Sequence, residues 1–481
     1  MAKVATITLE SSNGDSVVIS DSKQDYFADE IVLDTGPEGL YDTEFTSRTQ
    51  SGAFEPGGRI IGTEIPIREM TLPFHLTPAS RPRFQRLWGT VGNLRKVRYH
   101  YDGPSGRRSL TLKLAKNIAY STEDGFDAGI DDTYYAVVKA LAVNPNFEGK
   151  EDVAEWVNPG NFTVYIAATS GTFKLGYAGE LMAGTLPCNT ATIEQITTAL
   201  EGLSTIGAGN VTVTGNAKQF TVVTPNTCPG MLTVDGTSLA PLSFSITLGT
   251  LNFTITIGDQ TTAPISFTAS ATTIRQAIEQ LSNIGTGGVT VVAKLFGFTL
   301  GFNTGPLNGF LVALFTGHST AGIHVARVVT NPNTSWFEVW NPTDQDGWLE
   351  WELDPADEWQ FPDFAFGQER KWNRAVGEDA ARMIVTAPVT SMLSVMSDPF
   401  MDTWLPADLS NFAGVMNGVE PIYAVPPYTG VSQERVVDVD GKVHIVRDEE
   451  PVLAPVVCRG PSGAKVTLRQ RRFWSAESGL E

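Results

Sequence analysis

Apolar and polar residues alternate with period two along most of this chain, and only a few stretches carry helical spacing. The pattern begins at once, with Val4, Ile7 and Leu9. Further on, Ile65 and Ile67 share one strand face, while Met70, Leu72, Phe74 and Leu76 share the other. The phase change near Arg68 and Glu69 predicts a bulge. Phe84, Leu87, Trp88 and Val91 then recur at i, i+3, i+4 and i+7. They predict a short helix capped by Thr77 or Ser80, with Pro82 in its first turn and Gly92 ending it. Val97, Tyr99 and Tyr101 alternate, Asp102 to Gly106 reads as a turn, and Leu110, Leu112 and Leu114 alternate again. A strand over 133–141 and an Asn144-Pro145-Asn146 turn close this first β-rich block, 1–157.

The middle of the chain repeats itself. Ile196, Ala199, Leu200 and Leu203 form a helical stripe, followed by Ile206-Gly207, Val211-Thr212-Val213 and Phe220-Thr221. The same plan returns as Ile274, Ala277, Ile278 and Leu281, then Ile284-Gly285, Val289-Thr290-Val291 and Phe298-Thr299. Gly171-Thr172 and Gly249-Thr250 lead the two copies in. Every matched pair stands at the same separation as Ile196 and Ile274, a constant register that predicts two small α+β modules at 158–240 and 241–326.

From 327 to 405 tryptophan becomes frequent: Trp336, Trp340, Trp348, Trp351, Trp359 and Trp372 fall within this segment. Leu349, Trp351 and Leu353 point one way and Glu350 and Glu352 the other, as in a half-buried strand. These tryptophans fit a sandwich core, or an aromatic surface for sugars. The final segment, 406–481, carries Asp440-Gly441 between two alternating runs, a hairpin signal. It ends on Arg459, Lys465, Arg469, Arg471, Arg472, Phe473 and Trp474, which read as an extended basic arm for a partner.

Charge sharpens this picture. The chain has 481 residues and a formal net charge of −19. Between positions 81 and 116, however, stand Arg81, Arg83, Arg86, Arg95, Lys96, Arg98, Arg107, Arg108, Lys113 and Lys116, against one acid, Asp102. A basic element in an acidic protein suits contact with the acidic surface of another copy, and Asp124, Asp127, Asp131 and Asp132 offer a counterpart. Phosphate contact aided by Trp88, Tyr99 and Tyr101, or a merely solvated face, would use the same residues. The acidic remainder repels a polyanion at long range, which argues against stable nucleic-acid binding.

No run of residues is long and apolar enough for a membrane span, and the stretch from Met1 to Ser20 lacks a signal-peptide core, so synthesis in a cytoplasm is expected. Catalytic and cofactor motifs are missing from the pattern. His75, His100, His318, His324 and His444 are scattered. Gly460 to Lys465 has the wrong glycine spacing for a phosphate loop and is followed by Val466. No Gly-x-Ser-x-Gly occurs. The acids of 123–132, and Asp344 with Asp346, lack calcium-loop spacing and read as solvated or intersubunit groups. No enzyme activity, cofactor or metal is expected. Cys188 and Cys228 both belong to the first repeat, where the second has Ser266 and Pro306, so a disulfide between them stays open. Cys458 reads as a small core residue.

A glycine-rich lead-in (Gly52, Gly57, Gly58), the Arg68-Glu69 strand, the helix with Arg83, Leu87 and Trp88, the basic hairpin and the closing Ala140–Pro145 strand resemble one known block. It is the ring-forming domain of distal tail proteins of long, non-contractile-tailed phages. The Asn341-Pro342-Thr343-Asp344 turn and the Trp-rich strand after it resemble that family's second, galectin-like β-sandwich. The Arg-Arg-Phe-Trp terminus resembles minor tail proteins of phages that infect actinobacteria. The resemblance implies a virion protein of the tail tip, assembled in the host cytoplasm as a homo-oligomeric ring, a hexamer. Its partners would be the tail tube, tail-tip hub and tape measure proteins, with host glycan a further partner through the repeats and the Trp-rich domain. The expected fold is mainly β and multidomain. It comprises a ring-forming domain with one short helix, two tandem α+β repeats, a galectin-like sandwich and an extended C-terminal arm with a hairpin.

Overall fold

A computed structural model describes residues 5–22, 31–41, 43–51, 59–104, 106–121, 134–240, 242–258, 260–282, 284–294, 297–304, 307, 311–315, 319–323, 325–437, 443–447 and 451–479. The chain is mainly β and multidomain, with helices α1 (Arg81–Trp88), α2 (Ile193–Glu201), α3 (Ala271–Glu279) and α4 (Phe412–Met416) set among antiparallel sheets.

Among the described residues, four buried apolar clusters mark four packing units, each inserted into the one before. The strand Phe147–Glu148 leaves the N-terminal unit beside the returning strand Phe473–Trp474. Asp152–Val157 enters a sandwich beside Lys465–Gln470. Gly160–Ala167 enters the first module beside Val325–Thr330. Leu242–Leu248 enters the second beside Ser319–Ile323. Each junction is thus an antiparallel pair whose two strands lie far apart in sequence, so every unit is tethered by two chain segments.

This nesting moves the expected boundaries. Residues 152–157 belong to the sandwich, not to the first block. Residues 325–330 pair into the first module, where 325 and 326 were expected in the second module and 327–330 in the Trp-rich segment. The segments 327–405 and 406–481 share one core, in which Trp351 packs edge-on against Phe337 at 5.8 Å and lies tilted against Phe361 at 5.5 Å. The expected C-terminal arm is absent as such. Val452–Arg459 lies between Asn333–Val339 and Glu358–Pro362, and Lys465–Gln470 lies between Asp152–Val157 and Leu349–Leu353. Within 431–447 a hairpin forms as expected, Val431–Val437 against Val443–Arg447; its Asp440-Gly441 turn lies outside the described residues.

In the N-terminal unit the strands run in the order Ser16–Ser20, Thr6–Ser11, Val97–Gly103, Gly106–Leu114, Tyr134–Ala142, Arg68–Leu76, Ile31–Leu33. Gly106–Leu114 and Tyr134–Ala142 pair at two positions only, so the sheet splays into two halves around one core. Helix α1 closes that core with Phe84, Leu87 and Trp88, and Phe84 meets Phe74 edge-on at 4.8 Å. The helix ends at Gly89, not Gly92. Gly89 has φ +80°, and a Cβ there would sit 2.3 Å from the Asn93 carbonyl oxygen. Val91 is therefore 80 % exposed instead of joining the stripe. The expected bulge near Arg68 is a break between two strands. Arg59–Glu64 pairs with Thr46–Gln50 in a separate hairpin, which leaves Ile65 and Ile67 exposed.

The modules match closely from their helices onward. Thr192 caps α2 in a capping box with Gln195, and Ser270 caps α3. Glu201 accepts the Gly209 N–H at 2.8 Å, and Glu279, its counterpart in the second module, accepts the Gly287 N–H at 3.1 Å. Before the helices the offset is slightly larger, since Phe173 pairs with Leu186 as Phe253 pairs with Ile265. The match of Gly171 to Gly249 is thus out of structural register.

Candidate subunit-contact surface

The basic residues expected to face a neighbour divide into two groups. Arg83, Arg86, Lys96, Arg98, Arg107, Lys113 and Lys116 are exposed on α1 and the hairpin Val97–Leu114 or beside it. Several also brace the surface. Arg83 donates to the Ser16 carbonyl at 3.1 Å, Arg98 pairs with Glu148 at 3.0 Å, and Arg107 lies 3.9 Å from Asp102. Arg95 donates to the Arg86 carbonyl at 2.9 Å, and the Arg81 guanidinium lies over the Tyr120 ring at 4.5 Å. Asp124, Asp127, Asp131 and Asp132, offered as the acidic counterpart, lie outside the described residues.

Arg108 belongs elsewhere. It is 1 % exposed, stacks on the Trp474 ring at 3.9 Å, and donates to the carbonyls of Ala476 and Gly479, both at 2.8 Å. A buried guanidinium needs acceptors, and the returning C-terminus supplies them, so Arg108 is an internal clasp and not a subunit contact. Beside it Tyr99 donates to Glu477 at 2.6 Å. Burial raises the Tyr99 hydroxyl well above its ordinary pKa, helped by the Glu477 carboxylate, and burial also raises Glu477. Facing the opposite side of the same strand, His100 sits between Ser109 at 2.7 Å and Glu10 at 2.9 Å. Burial lowers its pKa, against the upward pull of the Glu10 hydrogen bond.

Arg68 is a second clasp, one the sequence did not reveal. Its guanidinium donates to the carbonyls of Pro145 (2.6 Å), Gly39 (2.7 Å) and Tyr41 (2.9 Å), to Thr43 Oγ1 (2.9 Å), and to the Ser475 carbonyl. All five N–H donors of one arginine therefore join three segments of the N-terminal unit to the end of the chain. The partners lie as far away as Ser475, so no local pattern points to them.

The C-terminal basic residues expected to meet a partner are used inside the chain. Arg459 lies 3.9 Å from Glu358, Lys465 3.1 Å from Glu155, Arg469 2.9 Å from Glu151, and Arg471 3.8 Å from Glu350. Arg472 is buried, pairs with Asp152 at 2.6 Å and donates to the Trp340 carbonyl. The strand that carries Lys465 and Arg469 lies between two strands that carry or adjoin carboxylates, so its cations find partners within the chain.

The expected Asn341–Asp344 turn is a junction. Asn341 is wholly buried and donates to the carbonyls of Gln345, Val425 and Pro426, while Asp344 accepts the Ser475 N–H at 3.0 Å. Four asparagines, Asn158, Asn161, Asn331 and Asn333, hydrogen-bond to one another where the first module meets the sandwich. Their flanks, Asn158-Pro159 and Pro332-Asn333, are the signal in the sequence for that joint. Cys188 and Cys228, between which a disulfide was left open above, are free thiols buried in the first module's core. Cys228 lies in the loop by which this module docks on the sandwich, through Gly230 paired with Ser462. Of the tryptophans, Trp340, Trp351 and Trp359 are buried and Trp348 is half-buried, whereas Trp336 and Trp372 are 61 % and 42 % exposed.

No family model and no curated protein sequence matches this chain. Among solved structures, it is similar to the Dit protein of phage SPP1, described as a paradigm of the hub adsorption apparatus in phages infecting Gram-positive bacteria. That match has 14 % identity and a TM-score of 0.23, over 38 % of this chain and 74 % of that one. It is also similar to chains of the phage P2 baseplate in its activated conformation, with calcium (9 % identity, TM-score 0.30) and with strontium (8 %, 0.29). Each covers 98 % of both chains.

Proposed function

We propose that this chain is a structural, non-enzymatic protein of a phage tail tip, whose N-terminal unit closes into a ring of identical copies. The observation that carries the reading is the exposed basic face of Arg83, Arg86, Lys96, Arg98 and Arg107 on a chain of net charge −19. A positive patch and a negative remainder on one subunit make a head-to-tail contact, and such contacts close when the rotation between copies permits. The resemblance in element order suggests six copies. It also suggests the neighbours: tail tube protein above, tail-tip hub and tape measure proteins at the axis. The modules, nested one inside the next, would project from the ring and organise attachment to the host envelope.

Light scattering of the full chain at about 50 mM and about 500 mM salt tests the contact, because attraction between surface charges weakens as the screening length falls from ~14 to ~4 Å. A defined oligomer at low salt that dissociates in the Lys96→Glu/Arg98→Glu variant supports the reading; a monomer throughout rejects it. A carbohydrate-binding adhesin without a ring is the second reading, favoured by the exposure of Trp336 on the sandwich.

A further inference from the structure

The N-terminal unit carries two exposed surfaces of opposite charge, each with apolar residues among its charges. One is a groove of about 280 Å³ between residues 37–44 and 66–69, lined by Tyr41, Pro66 and Ile67 together with Glu38, Glu44 and Glu69. The three carboxylates are exposed, and among the described residues none of them is in an ion pair. Tyr41 is 67 % exposed, as is Phe45 next to Glu44, and exposed apolar residues grouped in this way mark an interaction site. The groove is preformed. The segment 37–44 is fixed to the strand Arg68–Leu76 because Glu38 and Thr71 exchange backbone hydrogen bonds at 2.9 and 3.2 Å, and because Arg68 donates to the Gly39 and Tyr41 carbonyls.

The other surface is the hairpin that follows α1. Gly89–Thr90 pairs with Asn93–Leu94, and the turn between them holds Val91, exposed at the tip; Leu94 is exposed as well. Arg86 and Arg95 line a cleft against the hairpin with Thr90 and Asn93, and Lys96 follows in the chain. Among the described residues none of these three cations is in an ion pair, and the Arg86 carbonyl holds the Arg95 guanidinium in place. In strand order the groove belongs with Arg68–Leu76 and the hairpin leads into Val97–Gly103, with Gly106–Leu114 and Tyr134–Ala142 between them. One subunit thus carries both halves of a head-to-tail contact.

We propose that the Val91 hairpin of one copy seats in the Tyr41–Ile67 groove of the next. Val91 and Leu94 would bury against Tyr41 and Ile67, and Arg86, Arg95 and Lys96 would meet Glu38, Glu44 and Glu69 around them. Specific contacts combine an apolar centre with a polar rim in this way. The opposite charges of the two surfaces also reject the wrong pairings, hairpin against hairpin or groove against groove. The pairing rests on the ring reading above and adds to it the acidic surface that receives the basic face.

Cysteine cross-linking of the full chain tests it, since the native thiols Cys188, Cys228 and Cys458 are buried. Oxidised at low salt, Val91→Cys/Ile67→Cys should link head to tail into a ladder of covalent oligomers, while each single variant stays unlinked. Val91→Asp places a carboxylate against an acidic groove and should weaken association about tenfold in light scattering. Its thermal unfolding should be unchanged, because the residue is exposed in the single chain. Oligomers that yield no link, single variants that link as readily as the pair, or full association of Val91→Asp overturn the pairing and leave the ring reading standing. A chain monomeric at every salt concentration overturns both.

Discussion

Replacing Arg68 by lysine tests how the N-terminal unit is held closed. Arg68 is 6 % exposed and places five N–H donors on five acceptors, four of them backbone carbonyls. Lysine offers three donors from one atom, so at least two acceptors lose their partner in a site closed to water. Hydrogen bonds to a charged group contribute ~1.5–3 kcal/mol each, which sets the loss at about 3–6 kcal/mol. The stacking of the guanidinium on Phe147 at 5.1 Å adds to the loss. A multidomain chain does not unfold in one step, so the assay is hydrogen exchange of the full chain resolved by segment. Arg68→Lys should accelerate exchange in residues 39–41 and 473–479 while leaving the modules unchanged. A loss under about 1 kcal/mol, or unaltered exchange at the C-terminus, would refute the clasp.

Three further outcomes follow from the same structure. Trp474→Ala should destabilise the N-terminal unit by ~3–5 kcal/mol, visible as faster exchange in residues 97–114, because the ring completes that unit's core and carries Arg108. Asp363, pushed up from 3.8 to about 6 by burial, binds its proton more tightly folded than unfolded. It therefore contributes stability that is full below pH ~4 and lost as pH rises to about 6, a loss of about 3 kcal/mol that Asp363→Asn should abolish in pH-dependent denaturation. Glu201→Ala and Glu279→Ala should each cost about 1 kcal/mol in urea titrations reporting on their own module, with the second larger because Glu279 also holds Arg275 at 3.0 Å.

What could be read from the sequence was what neighbouring residues decide. The stripes Ile196–Leu200 and Ile274–Ile278 predicted α2 and α3, and the alternation around Trp351 predicted a half-buried strand, because each pattern closes within a few residues. Nesting left no such trace. Lys465–Gln470 alternates like an exposed basic strand, yet its partners at 152–157 and 349–353 turn it into the middle of a sheet. Arg108 looked like one member of a surface cluster because its acceptors, Ala476 and Gly479, stand at the far end of the chain. Val91 continued a helical stripe on paper, but Gly89 stopped the helix first. For the candidate site, charge alone located the basic face. Which of its arginines face outward depended on pairings that local spacing cannot encode.

Single-particle imaging of the purified full chain tests the central claim most directly. The account predicts closed rings, with the N-terminal units around the axis and the modules directed outward. Particles no larger than a single chain, or assemblies in which the face bearing Lys96 and Arg98 touches no neighbouring copy, would contradict it.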